Sequence, residues 1–506
     1  MTFGSVLLPA GGSLYDYVTL TGGEDQGHFF TLSADGTELH VNDPNAAVTA
    51  EWIGGEGADP ADPASWICRN QDNAVVDGVV PAHSTVSVTF TKDGDLRALG
   101  PVTFAENTTF DLNGHVVRIA AFTGPGYSLT SVINSAESDT AELHVDVANG
   151  KTLTNDTTLI SGNVKLVKDG AGTLSVAKSG QSYTGGTEIA DGIFETLPVK
   201  HFSPERHLLG SNGNTTTVRT GARFRLNALY GEADADYRFV LDGGTMEGCG
   251  EDLPNGWGQF HHIELTANST FIVTTHTGMR PGGSFRATTI DLGGYTLTVQ
   301  IGTNGKIFYL YDTTILNGML DVTSGGWLEI GKIYTDGMAA QDVDIRVGSA
   351  LRINASASVR NYEQVYGSDN NNGTGELNVY GTFTPAASHN YFYGCTMRDG
   401  STIDLSGKTG TWSTKSAFSN GRNTVTFASG ATVTIKLEGR GDLRELSKSA
   451  SPYVVTWPTD ENGITDVPEN VTFTPDAWTL QNRYLLRQDA TGLRLLYSAG
   501  TVIIVR

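Results

Sequence analysis

The densest acidic cluster in the chain is YGEADADYR (230–238), where Glu232, Asp234 and Asp236 fall on alternate positions. Paired carboxylates can cleave glycosidic bonds when they flank a groove, one as acid and one as base or nucleophile. Alternation puts these three on one face of an extended segment, which equally describes the wet side of a strand or loop. His261-His262, in WGQFHHIEL, suggests a metal at first sight. Adjacent strand residues point to opposite faces, however, so one buried and one exposed histidine is the better account. The run DNNNG (369–373) offers too few ordered carboxylates for calcium and reads as a polar turn. Cys68, Cys249 and Cys395 have no CxxC spacing, so neither a zinc site nor a disulfide framework is expected. The triplet Arg440-Gly441-Asp442 binds animal integrins when it is displayed on an exposed loop, and Gly-Asp is also an ordinary turn. The seven tryptophans are too dispersed to mark a sugar-stacking strip. No catalytic residue, metal or cofactor is expected from these motifs; the RGD triplet is the one binding candidate.

The background composition narrows the classes further. Of 506 residues, 62 are glycine, about 12% against a usual ~7%. Only 17% are charged while 39% are hydrophobic, which separates the chain from disordered sequences. The formal charge is −22, from 33 Lys plus Arg against 55 Asp plus Glu. Such a surface repels nucleic acid and anionic lipid and keeps a repetitive protein soluble. No apolar run approaches the ~18 residues of a membrane span, so direct membrane insertion is not expected. The start, MTFGSVLLPAGGSLYDY, lacks a basic n-region and breaks at Pro9, so no signal peptide is visible.

The elements that would position any site are short strands. VSVTF (86–90), LHVDV (143–147), YTLTVQI (295–301) and TVTFASGATVTIKL (424–437) alternate with period two between Gly, Asn, Asp and Ser turns. Long amphipathic helices are absent, so the chain is all-β. Sandwich, propeller and solenoid remain open until repetition is considered. TFDLNG (109–114), TIDLGG (289–294) and TIDLSG (402–407) recur at separations near whole multiples of about 22.5 residues, within the range of stacked solenoid coils. In each copy the two apolar residues share the inner face, the Asp faces solvent and the following Gly or Asn turns the chain.

The stretch LVKDGAGTLSVAKSGQSYTGGTEIADGIF (166–194) has short apolar strands between glycine turns. It resembles the autotransporter-associated β-strand repeat, also called the passenger-associated transport repeat. The resemblance is carried by Leu166, Lys168, Gly170, Gly172, Thr173, Leu174, Tyr183, Thr184, Gly185, Gly186, Thr187 and Gly192 in one copy. Trp52, Trp66 and Pro81 are similar to the tryptophan-bearing segment that opens the β-helix in related bacterial surface proteins. The resemblance implies a right-handed, single-stranded parallel β-helix, a structural repeat without catalytic residues, and a secreted or surface-displayed protein. The last residues, YLLRQDATGLRLLYSAGTVIIVR, do not read as strands of an outer-membrane barrel.

The expected organisation is closing strands of a preceding module or an N-terminal cap over 1–45, a parallel β-helix over 46–441 with side loops around 196–285, and C-terminal capping strands over 442–506. Roughly twenty coils are expected. FTLSADGTELHV (30–41) aligns without gaps on YLLRQDATGLRL (484–495), which suggests repeated modules in a longer chain. The function expected is a non-enzymatic stalk for adhesion or display, located outside the cell or on its surface. Its expected partners are a glycan or a surface protein and other modules of a longer chain. The alternative is a carbohydrate-active β-helix: a polysaccharide lyase, a glycosidase or a glycan-binding module.

Overall fold

The computed structural model describes residues 29–32, 39–42, 46–124, 127–196, 207–211, 213–227, 238–249, 258–260, 262–274, 277–279, 288–302, 307–310, 313–323, 327–330, 343–345, 350–353, 358–361, 377–385, 390–391, 395–414, 425–457 and 467–498. The ordered elements are almost all strands. Helix among the described residues is confined to Leu443–Ser447, Ala477–Gln481 and the 3-10 turn Pro63–Ser65. The chain is a parallel β-helix, and it divides into two compact units: Met1–Glu188 with His207–Ser211, and Ile189–Arg206 with Asn212–Arg506.

In the first unit three parallel sheets are visited in turn. One stacks Thr49–Trp52, Ser87–Phe90, Thr108–Asp111, Tyr127–Ile133, Leu159–Gly162 and Ser182–Tyr183. The next stacks Gly94–Asp95, Val116–Ile119, Ala141–Asp146 and Val164–Asp169. The third pairs Thr152–Asn155 with Thr173–Val176. Because stacking is in register, inward residues form columns: Ala50, Val88, Phe110, Val132 and Ile160 lie one above another and all are buried. Phe110 meets Phe90 and Phe104 edge-on, at 5.5 and 5.2 Å between ring centres. Trp66–Arg69 and Val75–Val76 add antiparallel strands beyond Thr49–Trp52 and so cover that sheet edge.

The second unit repeats the plan. One sheet runs from Thr215–Arg219 through Arg238–Asp242, His262–Ala267 and Thr288–Asp291 to Cys395–Met397 and Val425–Phe427. A second runs from Ile193–Thr196 through Arg223–Asn227 and Thr245–Cys249 to Thr402–Asp404, Thr432–Lys436 and Thr472–Pro475. A third stacks strands from Gly258–Phe260 to Asn390–Tyr391. Within 196–285 the described residues therefore contribute strands to these sheets. At the end, Trp412–Ser413 and Tyr453–Thr456 pair in parallel. The hairpin Tyr484–Gln488/Gly492–Tyr497 then joins them antiparallel. The coil nevertheless continues inside this terminal region, since Thr472–Pro475 still stacks in parallel on Thr432–Lys436.

Two expectations need correcting. Coil length is not uniform: stacked partners lie 18 residues apart at Leu377 and Cys395, 23 at Glu142 and Lys165, and 31 at Asp321 and Arg352. Among the described residues longer coils leave fewer of them than the roughly twenty that even spacing predicts. The recurrent T-x-D-L phrase also does not mark one phase of the coil, because its copies at Thr288–Asp291 and Thr402–Asp404 lie in different sheets of the same unit. What the copies share is a corner. Phe110 and Leu112, Ile290 and Leu292, and Ile403 and Leu405 all point inward. The Asp between them accepts the N–H two residues on: Asp111 from Asn113 at 3.1 Å, Asp291 from Gly293 at 3.1 Å and Asp404 from Ser406 at 2.9 Å. The aspartate thus shapes the turn as well as facing outward.

Candidate functional site

The residues that carry the repeat resemblance build one corner of the first unit's coil. Leu166 and Leu174 are buried in the core, and Lys168 stands in the inward column above Val145 and Ile119. A buried ammonium needs acceptors, and its Nζ donates to the carbonyls of Asp169 at 2.8 Å and Gly170 at 2.6 Å. Gly170 has φ +73°, and a side chain there would collide with the Val147 carbonyl 2.5 Å away. At Gly185 a Cβ would come within 2.6–2.7 Å of the Val164–Lys165 peptide. Gly172 meets the backbone of the coil below in the same way, near the Ala148 and Lys151 carbonyls. Thr173 N–H donates to Lys151 at 2.8 Å and Thr184 N–H to Gly162 at 2.9 Å, each tying a strand to the preceding coil. Tyr183 is fully buried and shares a 2.7 Å hydrogen bond with the Thr187 hydroxyl. Burial pushes its phenol pKa well up, and the Thr187 bond offsets only part of that. Gly186 and Gly192 turn with φ +93° and +67°.

The outward faces of the same strands hold a charge ladder. Glu142, His144 and Asp146 alternate on Ala141–Asp146; Glu142 and His144 meet partners one coil away, and Asp146 meets Arg97 two coils away. His144 Nδ1 lies 2.5 Å from Asp169 and its Nε2 2.9 Å from Glu142, while Arg118 reaches the Asp169 carboxylate at 3.5 Å. Lys165 bridges Glu142 at 3.3 Å and Glu188 at 2.8 Å. Burial works against the Glu142 carboxylate, yet the His144 hydrogen bond and Lys165 outweigh it and hold its pKa below the usual value. Arg97 closes the ladder, donating to Asp95 at 2.7 Å and Asp146 at 2.8 Å. The bond from Arg97 holds Asp95 low against its partial burial.

Beside Arg97 lies a cavity of about 710 Å³, lined by Asp59, Asp95, Arg97, Asp146, Lys151 and a floor rich in alanine. Its size suits a ligand. Its chemistry does not suit glycoside cleavage, which needs a carboxyl with a raised pKa and a second one free to act. Here Asp95 and Asp146 share one guanidinium, Asp59 accepts the Ala61 N–H in its own turn, and no aromatic side chain lines the space.

The other sequence candidates fall elsewhere. Glu232, Asp234, Asp236, His261 and the DNNNG run lie outside the described residues. Arg440 is turned inward, with its side chain wholly out of solvent and its guanidinium on Asp442 at 2.6 Å and on the Gly410 carbonyl at 2.7 Å. Its Nη1 has no hydrogen-bond partner among the described residues. The RGD triplet is thus a clasp that fastens the start of the terminal region to the coil before it. Trp52 and Trp66 pack edge-on in the core, 4.9 Å apart, and donate to the carbonyls of Asp93 and Pro60. Cys68 and Cys395 are buried and take part in no disulfide, and burial pushes the Cys68 thiol up to about 11. Among the described residues no cluster of His, Cys, Asp or Glu could hold a metal, and no helix is long and apolar enough to cross a membrane.

The charge ladder and the cavity escaped sequence reading. Alternation in AELHVD was its only trace, and the partners that complete it come from coils whose register the linear sequence does not show. No family model, no curated protein and no solved structure matches the chain.

Proposed function

We propose that this chain is a non-enzymatic, stalk-forming β-helix of a bacterial surface or secreted protein, akin to the autotransporter-associated β-strand repeat proteins, with a role in adhesion or display. The observation that carries this reading is where the polar groups go. Along the outward ladder Arg97, Asp146, Glu142, His144, Lys165, Asp169 and Glu188 bond coil to coil, and the repeat residues are consumed in stacking. A catalytic groove keeps converging groups in reserve; this surface satisfies them internally. The partners fitting such a stalk are a glycan or a surface protein and adjoining modules of a longer chain. A panel of neutral and acidic polysaccharides, incubated with the purified chain and followed by reducing-end assay, tests the claim. The reading predicts no new reducing ends, with any retention on a glycan array occurring without cleavage. New ends that disappear in Asp95→Asn would overturn it in favour of a carbohydrate-active enzyme.

A further inference from the structure

The cavity beside Arg97 is bounded on one side by a bare strand edge. Thr152–Asn155 pairs with Thr173–Val176 and terminates its sheet. The Lys151 and Asn155 carbonyls accept from Thr173 and Ala177, at 2.8 and 2.9 Å. Because backbone groups alternate along a strand, the N–H and C=O of Thr152 and Thr154 point the other way. No strand meets them among the described residues.

The bare edge has a structural cause. The coil below should supply a strand after Val116–Ile119, but the chain turns back at once. Thr123–Gly124 pairs antiparallel with Tyr127–Ser128, and Leu129 N–H donates to the Phe122 carbonyl at 2.8 Å. One of that coil's three strands is therefore missing, and the cavity occupies its place, with Ala120, Ala98, Ala58 and Ala148 as small-residue walls. The fold covers the equivalent edge of another sheet with Trp66–Arg69 and leaves this one open. The strand has no proline, bulge or inward charge to discourage pairing.

We infer that this edge takes up an extended peptide segment of basic character, which adds as a strand beside Thr152–Asn155 and fills the gap in the coil. A strand's alternating donors and acceptors match those of Thr152 and Thr154, and alanine walls leave room for its side chains. The sign of the charge follows from the lining, where Asp59, Asp95 and Asp146 outnumber Arg97 and Lys151, and from a chain charge of −22. Arg97 is already held by two carboxylates, so the free recognition groups are those of the backbone.

The test uses the full chain as bait for a random octapeptide library displayed on phage, with synthetic copies of the selected peptides for binding. Residue-resolved hydrogen exchange on the free chain comes first. The Thr152 and Thr154 amides should exchange much faster than those of Leu153 and Asn155, and protection of the former pair would overturn the inference. Selected peptides should alternate in polarity, carry Lys or Arg, and slow exchange at Thr152 and Thr154. Thr152→Pro removes the edge N–H and sets its ring in the path of an added strand, and should weaken binding at least about ten-fold, the scale of a shielded backbone hydrogen bond. Ala120→Trp, which fills the cavity and leaves that N–H in place, should block binding as well. No enriched peptide, or peptides that bind both variants as tightly as the parent chain, would refute the inference.

Discussion

The Arg440 side chain is wholly buried, and the half-buried Asp442 neutralises it at 2.6 Å. Removing one partner of such a pair strands the other charge. Asp442→Asn should therefore lower unfolding free energy by about 3 kcal/mol, read from urea denaturation. Burial opposes the Asp442 carboxylate, but the Arg440 bonds win and its pKa lies below the ordinary 3.8. Its stabilising effect is thus full above that unfolded value and fades as pH falls through the lower folded one. Glycines make a second contrast. At Gly185 a methyl group would strike the Val164–Lys165 backbone, whereas Gly150, with φ +72°, faces open space. Gly185→Ala should cost clearly more than Gly150→Ala, for which about 1 kcal/mol is expected from strain alone. Melting curves of the two variants decide it. The inward and outward alternation of Leu174, Ile189, Phe110 and Leu112 was legible in the sequence, because side-chain period follows directly from extended backbone. The placement of Lys168 was not, since a lysine in an apolar column looks like any surface lysine until its carbonyl acceptors are known.

Among the elements, the Asp of the T-x-D-L phrase turns out to be a corner residue. Asp111, Asp291 and Asp404 each accept the N–H two residues on. Asp291→Ala should cost at least about 1 kcal/mol by thermal unfolding, since it loses that hydrogen bond and the one Asn317 donates. A variant as stable as the parent would leave the corner to glycine alone. The three copies were visible in the sequence, but their phase was misleading. Insertions between strands make coil length vary, from 18 residues between the stacked partners Leu377 and Cys395 to 40 between Thr432 and Thr472, so equal spacing between phrases does not imply the same sheet. The aligned segments 30–41 and 484–495 behave similarly. Both contain antiparallel pairs, Phe29–Leu32 with Leu39–Asn42 and Tyr484–Gln488 with Gly492–Tyr497. Their registers differ, because Leu32 faces Leu39 whereas Leu486, its counterpart, faces Leu495. Pattern specified the hairpins, and turn length set the pairing.

For the molecule, the carboxylates matter collectively. Asp95, Glu142, Asp404, Asp442 and Asp489 are all held below their ordinary values by partners that outweigh burial where burial opposes them. At low pH the unfolded chain binds more protons than the folded one, so stability falls with acidity. The urea midpoint should hold between about pH 7 and 5 and drop steeply toward pH 3. A flat profile would show that these ladders contribute nothing. Composition and turn chemistry made the all-β coil readable, while the cavity and ladder depend on which coils lie together. The proposed role as an exposed stalk rests on that surface spending its charges on itself. Its most direct test is made in cells of the organism that produces the chain, with an antibody to the folded protein. The account predicts that intact cells or their medium are labelled, and that external protease removes the cell-bound signal before any cytosolic marker is lost. A chain reached by antibody and protease only after lysis would contradict it.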